Sequence, residues 1–470
     1  MNIGTNSRRG RKADGKGLRP RPCAWALLAF SALALSACAT YRPNPLPDKP
    51  TLAGDSRQLK VDLAQLRIAP LKAIRIDPAQ GFTPTQVAVL AVLNDPDLVA
   101  LRAAAKVPAA QVFAAGLLPD PQIGASVDHP VAGPDSNTAY STSVAFDLST
   151  LLARSNTRRA AKLAAKEADL NLLWAEWGVA QQARELAETA LAGEARAAFL
   201  AKVLNLASDR AARSERAMRR GDVALQVSAA DLAIKLDAQA QLAAAEHDTQ
   251  KARRDLNALL DLESSVRLPL VETSGGAIYD QAQIGAALDS LADRRPDLLA
   301  LKAGYGAQDA NLRKAILAQF PLTSLAVAFA SDTAGSVTQG ASAAFALPIF
   351  NGGRGEVKVQ DATREQLRAE YLARLDQTDA AVKNAARELE SARRQADLLR
   401  ADVPRLEAQV WPAMAAFGRG DIDSQTWLTL AQTALSRRAD LDDHALAARI
   451  AEIALETALF LPPADSRAPQ

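Results

Sequence analysis

The sequence predicts a mainly α fold with a small β part, built from two copies of one unit in which long antiparallel helices carry a β-hairpin. Three observations lead there. The chain is rich in Ala and Leu, with only 4% aromatic and 23% charged residues, a helix-forming composition. An apolar stripe at spacings of three and four runs through Leu367, Tyr371, Leu375, Thr378, Val382, Ala385, Leu389, Ala392, Ala396, Leu399, Val403, Leu406 and Val410. Landmarks also recur at an offset of about 200: "DPDLVAL" (95–101) faces "RPDLLAL" (295–301), Phe146 faces Phe345, and Gly221 faces Gly420.

Each unit is read in the same order. A first helix, 85–116 or 283–319, stops near Pro119 or Pro321, because proline ends helical propagation. Two alternating segments follow: "PQIGASV" (121–127) with "AYSTSVAFDL" (139–148), and "LTSLAVAFA" (322–330) with "GASAAFALPIF" (340–350). Gly, Pro, Ser and Asp separate the members of each pair, so each pair reads as a hairpin. A long helix comes next, 155–218 or 354–417, reaching about 90–95 Å at the helical rise. The mean period of its stripe, near 3.6, keeps the seam on one side of an almost straight rod. At the end of each rod stands Arg-Gly-Asp. Gly221 and Gly420 are suited to the left-handed turn that closes a helix, and Asp222 and Asp421 are expected to cap the returning helices, 222–261 and 422–460. A first helix and a returning helix together match one long helix, so the two short ones are expected to stack end to end beside it.

The amino-terminal 37 residues read as a targeting segment. Seven cations, from Arg8 to Arg21, precede the apolar run "CAWALLAFSALAL", which ends in "LSAC" (35–38). That ending is similar to the lipobox of bacterial lipoproteins, which implies that Cys38 becomes an acylated amino terminus, with Ala39 behind it as an outer-membrane address. Without the seven cations and Asp14 of this segment, the 55 basic and 53 acidic residues fall to 48 and 52, a mildly acidic and balanced chain with no nucleic-acid surface. The two cysteines, Cys23 and Cys38, leave no internal disulfide after processing. The expected domains are a signal peptide (1–37), a lipid-anchored tether and equatorial segment (38–84), a first repeat (85–262), a linker (263–282), a second repeat (283–461) and a tail (462–470). The stretch "YRPNPLPDKP" (41–50) is too proline-rich for helix and reads as an extended tether.

After the signal no unbroken apolar run reaches the roughly 18 residues of a spanning helix. A membrane crossing is therefore expected as strands. Four strands cannot close a barrel, for which about eight is the practical minimum, so several chains must pool theirs. Hairpins that merely cap a helical bundle are the alternative.

These residues resemble the TolC-type outer-membrane efflux proteins, lipoprotein branch, over nearly the whole mature chain. The resemblance rests on "RRPDLLALKAGYGAQDANLRKAILAQFP" (294–321), "LPIFNGGR" (347–354) and "FGRGDIDSQTWLTLAQTAL" (417–435), with looser matches in "LNDPDLVAL" and "MRRGDVALQV". It implies a homotrimer whose helices form an α-barrel across the periplasm and whose two hairpins per chain make a 12-stranded transmembrane β-barrel. It also implies docking to a periplasmic adaptor of an inner-membrane pump at Arg220, Gly221, Asp222, Arg419, Gly420 and Asp421. The family's gate lies near the tip, and the pattern lays Trp427 and Leu430 where some relatives carry acids, with Asp423 one turn nearer the tip. An outer-membrane exit duct of an efflux or type I secretion system is thus expected. A lipid-anchored, all-helical periplasmic scaffold or adaptor is the second reading.

Enzyme chemistry finds no foothold. His129, His247 and His444 have no second ligand at metal spacing. No phosphate loop or nucleophile elbow appears, and Asp442-Asp443 reads as a solvated helix face. No cofactor is expected, and the exported substrate is not encoded in any motif.

Overall fold

The computed structural model describes residues 41–76, 80–273, 279–320 and 322–463. The signal peptide, Cys38 and most of the expected tail lie outside them. Residues 41–51, the described part of a first unit, have neither helix nor strand, and all are exposed. The second unit starts at Leu52, so the expected 38–84 segment divides there. Its opening stretch buries Leu59, Leu66, Ile68 and Leu71.

Among the described residues the second unit holds α1 (Ala69–Lys72), α2 (Pro84–Asn94), α3 (Pro96–Ala104), α4 (Lys106–Gly116), β1 (Gln122–Asp128), β2 (Ala139–Asp147), α5 (Leu148–Arg219) and α6 (Leu225–Leu259). The second repeat gives α7 (Gln281–Asp289), α8 (Leu291–Arg294), α9 (Pro296–Leu317), β3 (Leu322–Ser331), β4 (Val337–Phe345), α10 (Arg354–Arg419) and α11 (Ser424–Leu459). The long rods have 72 and 66 residues, or about 108 and 99 Å at 1.5 Å per residue.

Every position of the expected stripe in α10 is buried or half-buried, and all of that helix's buried residues except Phe417 lie on it. The stripe packs against α11 on the tip side and α9 on the sheet side, so the two short helices do share one rod. The first helix of each repeat departs from expectation. It breaks before Pro96 and before Pro296, which stand at the first position of α3 and α9. Proline disfavours helical backbone in the residue before it, and Asp95 and Arg295 are non-helical there. Asp95 caps the restart by accepting from Leu98 N–H at 2.7 Å. In the second repeat Arg294 and Arg295 instead donate to Leu459 O and Ala458 O, the last carbonyls of α11. The "RRPD" stretch therefore joins the start of α9 to the end of α11.

By length and composition Pro96–Gly116 is apolar enough to cross a membrane, where the sequence reading found no such run. Alanine carries the average past Arg102 and Lys106. The segment is split between α3 and α4 and packs along α5.

The main cores lie midway along the rods. In one, Phe82, Val87 and Leu90 meet Ala183, Ala187 and Leu256; in another, Val382 and Leu389 meet Ala451 and Leu455. A buried ion pair, Arg184 to Glu456 at 2.7 Å, ties α5 to α11, and Tyr279 Oη donates to the same carboxylate at 2.6 Å.

Candidate functional site: the sheet and the helical tips

The four strands form one antiparallel sheet in chain order, with β2 and β3 joining the two repeats. β4 starts at Val337 and ends at Phe345, so the expected strand 340–350 is wrong at both ends. The residues after it, "LPIFNGG", turn into α10 through Gly352 and Gly353 at φ +57° and +68°.

Cross-strand partners share a face, and the register gathers the large apolar side chains on one of them, with Thr142 and Gln339 on either side of Phe329 as polar exceptions. Val127 stands beside Tyr140, Val144 between Ile123 and Val327, and Phe146 beside Leu325. All of these are exposed. The opposite face is small or polar: Ser126 pairs with Ser141, their hydroxyls 2.9 Å apart, while Ser143 lies between Gly124 and Ala328. An antiparallel sheet packed on a protein core hides its apolar face; this one exposes it along strands of seven to ten residues. Such a pattern is that of a lipid-facing sheet with a polar interior. Among the described residues β1 and β4 have no partner on their outer edges.

At the far end of the rods, both Arg-Gly-Asp sequences close their helices in one way. Gly221 and Gly420 adopt φ +82° and +85°. Asp222 N–H reaches Ala217 O and Gly221 N–H reaches Met218 O, at 2.8 and 2.9 Å; Asp421 and Gly420 repeat this with Ala416 O and Phe417 O. This is the Schellman arrangement, which satisfies the last carbonyls of a helix and needs a left-handed residue. The aspartates do not cap the returning helices as expected. Each accepts from its own arginine instead, Arg220 Nε to Asp222 and Arg419 Nε to Asp421, both at 2.8 Å. Two exposed arginine–aspartate pairs therefore mark the tips.

The cap of α11 is Asp423, whose carboxylate accepts from Thr426 N–H at 2.6 Å. Hydrogen bonds from the Thr426 backbone and side chain hold its pKa below the ordinary aspartate value. Its counterpart in the first repeat, Ala224, gives α6 no side-chain cap. Leu430 is half-buried. Trp427, expected at the gate, is only 4% exposed; it stacks on Phe417 at 6.2 Å and packs with Ile234 and Ala431. Arg210, from α5, lies over both rings and bonds Asp231 at 2.6 Å. Sequence reasoning missed Arg210, Asp231 and Phe417, which no local motif unites.

Among the described residues no cluster of His, Cys, Asp or Glu is suited to a metal ion. His129 Nδ1 lies 3.0 Å from the Thr138 hydroxyl in the loop between β1 and β2.

No family profile matches the sequence, and no curated protein matches it. Solved structures match in fold. A membrane protein from Pseudomonas aeruginosa is 18% identical with a TM-score of 0.70, over 90% of this chain and 99% of that one. The Campylobacter jejuni CmeC outer membrane channel is 13% identical with a TM-score of 0.69, over 91% of this chain and 96% of that one. CusC, described for folding and transmembrane channel formation, is 16% identical with a TM-score of 0.67, over 83% and 95%. The chain has the fold of TolC-type outer-membrane channels.

Proposed function

We propose that this chain is one subunit of a passive exit duct through an outer membrane, closed by three copies and fed by an inner-membrane pump. The observation that carries the reading is the sheet: an apolar face open to the outside, a small polar face behind it, and two free edges. An open edge is costly in lipid, so β1 of one copy must pair with β4 of the next. Strand direction alternates in the sheet, so that new pairing is antiparallel as well. Three copies, the number implied by the family resemblance, give twelve strands.

The helices support the same closure. In the second repeat α9 lies between α10 and α5. Its counterpart α3–α4 packs on α5 alone among the long rods, and α10 of a neighbouring copy would supply the missing wall. The arginine–aspartate pairs at Arg220, Gly221, Asp222 and Arg419, Gly420, Asp421 are assigned to adaptor docking, as paired, rigid, exposed features at one end of the rods. The gate is assigned to the first turns of α11, with Asp423 and Leu430 toward the lumen and Trp427 acting as the wedge that sets the spacing of the hairpins. Cys38 is assigned to the lipid anchor.

Bilayer recording tests the duct. The purified chain should give discrete conductance steps of one size, and Val144→Asp with Val327→Asp should abolish them while helical content persists. Arg220→Glu with Arg419→Glu should leave the steps intact and lower export from cells. A chain that needs no detergent once its lipid is removed, and gives no steps, would be the periplasmic scaffold instead.

A further inference from the structure

The first turns of α5, directly beyond the sheet, carry a one-sided charge. Residues 148–166 hold five cations, Arg154, Arg158, Arg159, Lys162 and Lys166, and no acid. Their counterparts in the second repeat, at the offset of 199 that relates Gly221 to Gly420, are Gly353, Val357, Lys358, Asp361 and Glu365, so the charge belongs to α5 and not to the shared plan. Arg154 donates to Gly116 O at the end of α4. Arg158, Arg159, Lys162 and Lys166 are exposed, and among the described residues their side chains have neither ion pair nor hydrogen bond. The flanking carboxylates of α5 are turned elsewhere: Asp147 accepts from Ser149 and Thr150, Glu167 lies against Gly304, and Asp169 pairs with Arg67.

Arg158, Arg159 and Lys162 line an open groove of about 690 Å³ together with Leu118 and Leu151. Both leucines are exposed, as are Leu117 and Leu152 beside them, so the apolar face of the sheet continues onto the start of α5 and ends at the cations. Arg158 and Arg159 stand about 10 Å along the helix beyond Leu152. Long side chains at that depth reach the headgroup layer that borders the hydrocarbon.

The groove lies on the outer side of the rod. Steps of three and four carry its stripe from Ser155, Arg159, Lys162 and Lys166 on to Leu173, Trp177 and Ala180. There α2 and the opening stretch cover it, with Trp177 and Ala180 buried against Leu66 and Val89. Asn171, Gly178 and Gln182, on the opposite side of α5, are exposed. The bore of a duct needs the uncovered side, so the covered side faces out. A neighbouring copy does not close the groove either, because α5 is flanked by α4 and α9 of its own chain.

We propose that this ledge on α5 holds the phosphate of an anionic phospholipid of the phosphatidylglycerol class, with Arg158, Arg159 and Lys162 on the headgroup and Leu118 and Leu151 against the start of the acyl chains. Clustered cations at a membrane surface attract anionic lipid, and the leucines favour a lipid over a free anion. The outward placement rests on the duct reading. The test reads lipid retention instead of conductance, so a chain that conducts without lipid preference sinks this proposal alone, and one that retains the lipid without conducting sinks only the duct.

Native mass spectrometry of the full purified chain in detergent, titrated with phosphatidylglycerol or with phosphatidylcholine, tests the ledge. Phosphatidylglycerol should be retained about tenfold or more over the zwitterionic lipid. Arg158→Gln with Arg159→Gln and Lys162→Gln should remove that preference, while Arg213→Gln with Arg216→Gln and Arg219→Gln, the same loss of charge at the other end of α5, should keep it. Inorganic phosphate at about 10 mM should leave the bound lipid in place. Equal retention of the two lipids by the unaltered chain, which needs no variant to fold, would overturn the proposal. So would an equal loss in both triple variants, which would mean attraction by net charge only, or displacement by phosphate, which would make the groove a site for free anions.

Discussion

Helix α9 and the pair α3–α4 hold the same place in the two repeats, but only α9 is walled on both sides. It lies between α5 and α10 and buries Ala303, Ala307 and Ala310. At Gly304 an added Cβ would stand 2.7 Å from Glu167 Oε1, so α9 approaches α5 closely. In α3–α4 only Leu98 is buried, and Phe113 is 73% exposed. Duplication gave both segments the same role, so the difference measures what one chain lacks. The sheet repeats the lesson, with β2 and β3 paired on both sides and β1 and β4 on one.

The largest effects should come from placing the same charge on the two helices. Ala310→Asp puts an unpaired carboxylate into the α9 interface and should cost the chain about 3–5 kcal/mol in urea unfolding. Phe113→Asp should leave helical content unchanged in circular dichroism and shift the detergent-solubilised protein to the mass of one chain. If both variants unfold alike, α4 is buried by its own chain and the comparison fails.

Smaller effects separate the two returning helices. Ala224→Asp should give α6 the cap it lacks and stabilise the chain by about 1 kcal/mol. Asp423→Ala should speed amide exchange at Thr426 and leave α6 untouched. The folded pKa of Asp423 lies below its ordinary 3.8, so its stabilisation is complete above that pH and is lost as pH falls through the lowered value. Protection at Thr426 should therefore fade only below pH 3.8 in the unaltered chain. Protection at Thr426 that is the same in Asp423→Ala as in the unaltered chain would mean that the carboxylate does not hold this turn.

The rods, their seam and the glycine turns were legible because they depend on spacing and on single-residue conformational freedom. The break at Pro96 was locally encoded and was passed over because apolar residues continue on both sides. Asp222 and Asp421 were misread because an arginine two residues earlier competes for the carboxylate that a helix start would otherwise use. The cluster near the tips was not legible at all: Arg210 and Asp231 meet Phe417 and Trp427 from about two hundred residues away, a meeting set by the packing of hairpins. Trp427 was laid along α11 by pattern alone, and its stacking on Phe417 is a contact that no local motif announces.

The central claim is that the missing wall of α3–α4 is α10 of another copy. Within one chain Gly304 meets Glu167, and Gly306 meets Leu163; carried over by the repeat offsets, these become Ala104 against Gln366, and Lys106 against Ala362, of different copies. All four of those residues are exposed in the single chain. Ala104→Cys with Gln366→Cys, in the chain with Cys23 and Cys38 replaced by serine, should cross-link on mild oxidation into a ladder that ends at three chains on a non-reducing gel. A product that stays at one chain, or a ladder that runs on without a limit, would contradict a closed ring of three.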